Sequence, residues 1–183
     1  VREILSGSWY GIKMYPKQLD FKARRITDFY PEEILAAINQ MGLCVMLHLP
    51  NDIIRDWSEL ARLMSKYWKA VFILAHFGLS RDCQERKGEL KKVFRRLKEY
   101  PNVYLDTAWF FEEDILFMGL EEFGHKKVLY ATDQPINLVR CEFFPHPVTG
   151  KDRVLSANVY HWVDADERKE YLRHYPGDIG KVL

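Results

Sequence analysis

Three polar residues that could do chemistry stand at the ends of strand-like apolar runs. His48 and His76 each follow five consecutive apolar residues, and Asp133 follows a third run over residues 127–132. Imidazole nitrogen and carboxylate oxygen are donors that bind a divalent transition metal such as zinc. Such a metal acidifies water and polarises a carbonyl group, and a nearby histidine can orient a substrate or move a proton.

Each of these residues also has an ordinary structural explanation. A histidine at the end of a strand is commonly a hydrogen-bonded structural residue. Residues 132–135 could form a turn in which Asp133 accepts local amide hydrogens. The presence of such residues after three separate runs favours a shared site, on the condition that the strands are parallel neighbours.

The elements that would position these residues alternate along the chain. The continuous apolar run at residues 71–75 is typical of a parallel strand buried on both faces, and five strands are expected along the chain. Helical spacing is seen over residues 31–41, 53–67, 90–100 and 112–123, whereas residues 17–30 have no clear period and are predicted to be a loop. This alternation predicts an α/β fold, either a doubly wound sheet or part of a (β/α)8 barrel.

Parallel neighbours with right-handed crossovers bring the carboxyl ends of their strands to one rim. That rim would collect side chains that are distant in sequence, namely Lys13, Tyr15, His48, His76, Asp106 and Asp133. Lys13, Tyr15 and Trp109 are predicted to bind the substrate, although Lys13 is equally typical of a solvated lysine. Asp106 is expected to contact the site residues rather than the substrate itself.

Composition restricts the partners. The 27 Lys and Arg residues against 26 Asp and Glu leave a net charge of +1, so no basic surplus indicates nucleic acid or an anionic membrane. Three widely spaced cysteines give neither a disulfide framework nor a C-x-x-C motif, which favours a cytoplasmic location. No apolar run reaches membrane-spanning length. We expect one domain over residues 1–183 that acts on a small molecule.

Five segments resemble successive strand ends of the amidohydrolase superfamily. They are Gly-Ile-Lys-Met-Tyr-Pro at 11–16, the strand ending in His48, Leu-Ala-His-Phe-Gly at 74–78, Asn-Val-Tyr-Leu-Asp-Thr at 102–107 and Tyr-Ala-Thr-Asp-Gln-Pro at 130–135. In order and spacing they most resemble the amidohydrolase-related (amidohydrolase 2) branch of metal-dependent TIM-barrel hydrolases and decarboxylases.

The resemblance implies a role for each of the three residues. His48 would be a metal ligand at the end of the fifth barrel strand. His76, at the sixth strand, would be catalytic or orient the substrate, and is sometimes a ligand. Asp133, at the eighth strand, would be both a ligand and a proton acceptor. The implied chemistry is hydrolysis of amides, esters or lactones, or non-oxidative decarboxylation, with zinc or manganese.

The chain departs from the family pattern at its beginning. The family's first strand carries an H-x-H pair of metal ligands, and no two histidines here are two residues apart. The five strands match the fourth to eighth of the barrel, so we expect either the C-terminal portion of a longer enzyme or a truncated relative. An open arc would expose strand edges, so we expect association with another copy or with a missing N-terminal half.

Two alternative functions remain open at this point. One is a metal-independent lactonase of the same barrel type, in which Asp133 and the histidines act directly on water. The other is a non-catalytic remnant that serves as an interaction module. Under the leading hypothesis, a metal-dependent hydrolase, this chain alone is expected to have weak or no activity.

Overall fold

The computed structural model describes most of the first 133 residues and part of the remainder. The described residues are 1–7, 9–14, 25–78, 86–108, 110, 112–133, 141–145, 152–156, 169 and 173. Contacts divide the chain into two compact units, Val1–Ala131 and Thr132–Leu183. The single domain predicted over residues 1–183 stays a prediction.

The first unit is built on a five-stranded parallel sheet. Its strands are β1 (Gly11–Met14), β2 (Cys44–Leu47), β3 (Val71–Leu74), β4 (Val103–Asp106) and β5 (Val128–Leu129). The strands lie in sequential order, β1-β2-β3-β4-β5, and every neighbouring pair is parallel. A doubly wound sheet would reverse its strand order at a switch point, whereas a (β/α)8 barrel keeps it sequential. The predicted α/β fold, an arc of such a barrel, is confirmed.

Helices connect the strands, as the alternating pattern predicted. The helix α1 (Arg2–Leu5) precedes β1, and the connecting helices are α2 (Glu32–Met41), α3 (Trp57–Lys66), α4 (Lys87–Leu97) and α5 (Glu113–Gly119). Shorter helical turns are the 3-10 turns Ile26–Asp28 and His125–Lys127 and the π-helical turn Leu120–Gly124. α3 begins later than predicted because Asp52 Oδ1 accepts the N–H groups of Ile54 and Arg55, both at 2.8 Å, and holds the preceding residues as a turn.

Burial alternates along the strands between two different faces. One face packs into the main hydrophobic core and is fully buried: Val45, Leu47, Phe72, Leu74, Val103 and Leu105. On the other face Met46, Ile73 and Tyr104 lie side by side in register and are only half-buried. The second face of β3 is therefore less buried than the prediction of a strand buried on both faces requires.

The segment before α2 corrects a second prediction. Ile26, Phe29 and Tyr30 belong to the predicted loop, yet all three are buried. The Tyr30 hydroxyl accepts the N–H of Met14 at 2.8 Å and donates to the carbonyl oxygen of Met46 at 3.0 Å. Tyr30 thus links the carboxyl ends of β1 and β2. Residues 17–24 of the predicted loop lie outside the described residues.

The last strand of the sheet is shorter than predicted. Residues 127–132 were expected to form a strand, but the ladder with β4 involves only Val128 and Leu129. The side chain of Thr107 continues the connection beyond it: its Oγ1 accepts the N–H of Ala131 and donates to the Ala131 carbonyl, both at 3.0 Å. Thr107 thereby replaces the backbone hydrogen bonds that a longer β5 would have made.

The second unit contains an antiparallel strand pair that the sequence did not predict. β6 (Cys141–Pro145) pairs with β7 (Asp152–Ser156), with Cys141 opposite Ser156 at one end and Pro145 opposite Asp152 at the other. Within the described parts of both units, no helix is long and apolar enough to cross a membrane.

Candidate functional site

Two histidines meet at the carboxyl ends of adjacent strands. His48 directly follows β2, and His76 lies in the turn after β3, which pairs with β2 in parallel. Their ring centroids are 5.1 Å apart and the ring planes are inclined by 72°. The structure therefore brings together two of the three residues that the sequence analysis selected.

The imidazole of His76 is held by a short hydrogen bond to the backbone. Its Nδ1 lies 2.7 Å from the carbonyl oxygen of Ala108, just beyond the end of β4. A carbonyl oxygen can only accept, so Nδ1 must carry the hydrogen and the lone pair of the neutral ring is on Nε2. The Nδ1 of His48 lies 3.3 Å from the carbonyl oxygen of Leu49. Contacts of this kind orient imidazoles that bind metals or transfer protons.

The backbone that presents His76 has an unusual conformation. β3 ends at Leu74 rather than at His76, and the turn Ala75–Gly78 follows. His76, Phe77 and Gly78 all have positive φ, at 55°, 60° and 67°. Glycine adopts this region readily, but for His76 and Phe77 it costs about 1–3 kcal/mol each, so the surrounding contacts must compensate.

Aromatic packing around Phe77 fixes the middle of this turn. Phe77 is fully buried, stacks on Phe110 with a centroid distance of 4.9 Å, and meets Phe94 edge-on at 5.7 Å. The Phe77 ring also occupies the space beside Gly119 in α5, where an added Cβ would be 2.3 Å from Phe77 Cε1. The absence of a side chain at Gly119 therefore makes room for the ring.

The structure describes only some of the remaining predicted site residues. Lys13 is an exposed residue of β1, opposite Met46 in the sheet register. Tyr15 and Trp109 lie outside the described residues. Asp133 belongs to the second unit and has a φ of 57°, a conformation that aspartate tolerates better than most residues.

The side chains at this site are of the types that bind a transition metal, but few potential ligands lie together among the described residues. Imidazole nitrogens of the His48–His76 pair are suitable zinc donors, and the Nδ1–H tautomer of His76 makes Nε2 its coordinating atom. Across the part of the chain that the structure describes, no group of three or more His, Cys, Asp or Glu side chains could hold a metal ion. The pair therefore fits the chemistry of a metal site without providing a complete one.

A surface pocket of about 360 Å³ lies elsewhere, around the start of α3. It is lined by Arg25, Asn51, Arg55, Asp56, Ser58, Glu59 and Arg62. Arg25 pairs with Glu59 at 3.5 Å and Arg62 pairs with Glu32 at 2.9 Å. Burial raises the pKa of the Asp56 carboxyl. This pocket contains none of the predicted site residues, and its side chains are engaged in holding local structure.

Sequence reasoning missed the groups that support His76. Phe94, Phe110 and Gly119 surround the Phe77 ring, and the Ala108 carbonyl oxygen accepts the imidazole hydrogen bond. Gly78 was the only local signal, since a glycine shortly after an apolar run can mark left-handed backbone. The contact with Gly119 has no local signal because it involves a helix about 40 residues further along the chain.

The Amidohydrolase family model (Amidohydro_2) matches residues 10–173. The chain belongs to this amidohydrolase family. The match covers the whole five-stranded sheet together with the segments that carry His48, His76 and Asp133. A comparison with curated proteins found no match.

Two solved amidohydrolase structures share the fold at low sequence identity, and a solved decarboxylase is a weaker match. An amidohydrolase from Burkholderia multivorans with bound zinc has a TM-score of 0.55 and 12% identity, over 97% of this chain and 61% of that one. A structure of a Burkholderia multivorans amidohydrolase with bound HEPES has a TM-score of 0.52 and 15% identity, over 70% and 51%. A 5-carboxyvanillate decarboxylase from Sphingomonas paucimobilis has a TM-score of 0.48 and 14% identity, over 100% and 62%.

This family member spans only 51% to 62% of the length of the chains in these three structures. At such identities the similarity to the solved structures shows the fold alone, since one fold hosts many chemistries. Function must therefore be argued from the His48–His76 site itself.

Proposed function

We propose that this amidohydrolase-family chain contributes to a metal-dependent enzyme that hydrolyses an amide, ester or lactone, or decarboxylates its substrate. The observation that carries the proposal is the His48–His76 pair, with ring centroids 5.1 Å apart at the ends of adjacent parallel strands. In barrel enzymes of this type, catalytic residues come from the carboxyl ends of several strands.

His48 and Asp133 are the residues that we propose as metal ligands, with zinc the first choice and manganese the second. The zinc bound to the Burkholderia multivorans relative supports a divalent metal. When bound, the metal would supply Lewis acidity that polarises a carbonyl group and makes water more acidic. Catalytic zinc usually has three protein ligands, so two predict weak metal binding and weak or no activity by this chain alone.

The other proposed roles belong to the chain's own side chains. His76, with its Nδ1–H held by the Ala108 carbonyl, would orient the substrate or exchange a proton at Nε2. Asp133 would accept a proton from water. Lys13 would attract an anionic substrate group, and Tyr15 and Trp109 would line the substrate site.

The cellular setting and the assembly belong to the same proposal. We propose a cytoplasmic location and association with another copy or with an N-terminal half of the barrel. The exposed residues Trp9 and Tyr10, which immediately precede β1, support such an association, since they are 53% and 94% exposed.

Metal content tests the proposal. We expect elemental analysis of the purified chain, supplied with zinc or manganese, to find up to one equivalent, and His48→Ala and Asp133→Ala each to lose it. His125→Ala is the matched control, because His125 lies in the 3-10 turn before β5, at the other end of the strands, and should retain the metal. Equal metal content in all four proteins would contradict the ligand assignment.

A metal-independent lactonase is the second candidate. It is favoured by the lack of a three-ligand group among the described side chains. In that case His76 and Asp133 would act directly on water, and lactone hydrolysis would survive treatment with a chelator. If neither metal binding nor chelator-resistant hydrolysis is found, a non-catalytic interaction module becomes the better explanation.

A further inference from the structure

A single buried carboxylate oxygen connects the two backbone segments that hold the His76 ring. Asp106, the last residue of β4, is only 2% exposed. Its Oδ1 accepts the N–H of His76 at 2.9 Å and the N–H of Ala108 at 3.1 Å. One oxygen therefore fixes both the residue that carries the imidazole and the residue whose carbonyl oxygen the imidazole contacts.

These contacts close a small ring of hydrogen bonds. Asp106 Oδ1 holds the two N–H groups, and His76 Nδ1 donates to the Ala108 carbonyl oxygen at 2.7 Å. Hydrogen bonds to a charged acceptor in a buried setting are among the stronger ones in proteins. Asp106 therefore helps to offset the cost of the left-handed backbone at His76 and Phe77.

The same contacts determine which nitrogen of His76 is protonated. As long as the Ala108 carbonyl oxygen stays 2.7 Å from Nδ1, the hydrogen must be on Nδ1 and the lone pair on Nε2. Movement of either backbone segment would break this contact and let the other tautomer form. Asp106 is the group that restrains both segments.

We propose that Asp106 is a positioning residue that sets the orientation and the Nδ1–H tautomer of His76. Its importance for catalysis rests on the proposed function of His76, but the positioning itself does not. Asp106 acts only through backbone groups, so it need not contact the substrate or a metal. In this chain it makes Nε2 the nitrogen that can accept a proton or bind a ligand.

The test is the tautomer of His76, read from long-range ¹H–¹⁵N correlation spectra of the ¹⁵N-labelled chain. The spectra are recorded without metal or substrate at pH about 8.5, two units above the ordinary pKa of histidine, and His76→Gln assigns the signals. We expect a pure Nδ1–H pattern in the wild type and its loss in Asp106→Ala. Asp106→Asn, whose amide oxygen can accept the same two N–H groups, should restore it.

Two further variants separate positioning from loss of stability. Glu59→Ala is the matched control, because Glu59 also accepts two backbone N–H groups, from Ile26 at 2.8 Å and Thr27 at 3.3 Å, away from His76. It should keep the pure Nδ1–H pattern. Asp106→Ser, whose shorter side chain cannot hold both N–H groups, replaces Asp106→Ala if the alanine variant does not fold.

The outcomes distinguish this inference from the proposed function. A pure Nδ1–H pattern in Asp106→Ala or Asp106→Ser would overturn it. Loss of the pattern in Glu59→Ala would also overturn it, because it would show that any local loosening of the fold disturbs His76. Loss of the pattern in Asp106→Asn would overturn it as well, because it would show that accepting the two N–H groups is not sufficient. Because the spectra need no metal, the tautomer result stands whether or not the metal experiment succeeds.

Discussion

Replacing Gly119 by alanine should reveal how tightly the turn at His76 is held. Gly119 has ordinary helical dihedral angles, φ −64° and ψ −42°, so its backbone does not require glycine. An added Cβ would lie 2.3 Å from Cε1 and 2.8 Å from Cζ of Phe77. Non-bonded carbon atoms approach to about 3.5–4.0 Å, so atoms must move by more than about 1 Å.

The size of the effect follows from two opposing contributions. Alanine in place of glycine stabilises a helix by up to about 1 kcal/mol. Overpacking a buried site costs about 1–3 kcal/mol, and the upper part of that range applies because Phe77 is held between Phe94 and Phe110. The expected net loss in the free energy of unfolding is about 1–2 kcal/mol. For a chain of this size that lowers Tm by about 2–8 °C.

Thermal and urea unfolding followed by circular dichroism would measure this loss. Gly88→Ala is the matched control, because Gly88 is also in a helix and an added Cβ there has nothing within 4 Å. Because Gly88 is the second residue of α4, alanine there should raise stability by no more than about 1 kcal/mol. A Gly119→Ala variant that is as stable as the wild type, or more so, would refute the reasoning.

A double-mutant cycle with Phe77→Leu identifies the clash as the cause. Leucine lacks the ring atoms Cε1 and Cζ that the new Cβ would meet, so Gly119→Ala should cost much less in the Phe77→Leu background. Neighbours in contact commonly show coupling of about 0.5–3 kcal/mol. Additive effects of the two changes would mean that the alanine destabilises the chain by some other route.

Two further changes test other parts of the framework. Tyr30→Phe leaves the Met14 N–H without its acceptor and removes the hydroxyl that bridges the ends of β1 and β2. We therefore expect the free energy of unfolding, measured in urea, to fall by about 1–3 kcal/mol, and an unchanged midpoint would contradict this. Hydrogen bonds, first from Lys66, lower the pKa of Glu32 from 4.5 to about 2. A lowered folded-state pKa gives stability that is present above pH 4.5 and is lost as the pH falls towards 2. Glu32→Gln should therefore be less stable than the wild type at neutral pH and equal to it near pH 2, and a difference that does not change with pH would contradict this.

Elements with strong local signals could be predicted from the sequence. α2 begins after Pro31 and ends at Gly42, whose φ of 64° is left-handed, so both boundaries were readable. β4 occupies the predicted residues 103–106 because Pro101 and Asn102 end the preceding helical pattern. By contrast, Tyr30 was placed in a loop because its partners, Met14 and Met46, are 16 residues away on either side. No local pattern reveals such a contact.

The pairing of His48 with His76 was predictable because it depends only on strand order. Once β2 and β3 are parallel neighbours, residues just after their last positions must come close. The position of His76 beyond the end of β3 was not predictable. It depends on Asp106, 30 residues further along, and on the space that Gly119 leaves for Phe77.

The unpredicted turn at His76 helps to decide whether this histidine has a structural or a functional role. A histidine that served only to hydrogen-bond a strand end could do so from extended backbone, which costs nothing. Here two non-glycine residues adopt left-handed backbone, at about 1–3 kcal/mol each, and contacts from β4 and α5 sustain them. Places where local preference is overruled by distant contacts are commonly functional sites. The strained turn therefore favours a functional role, because besides burying Phe77 it fixes an imidazole beside that of His48.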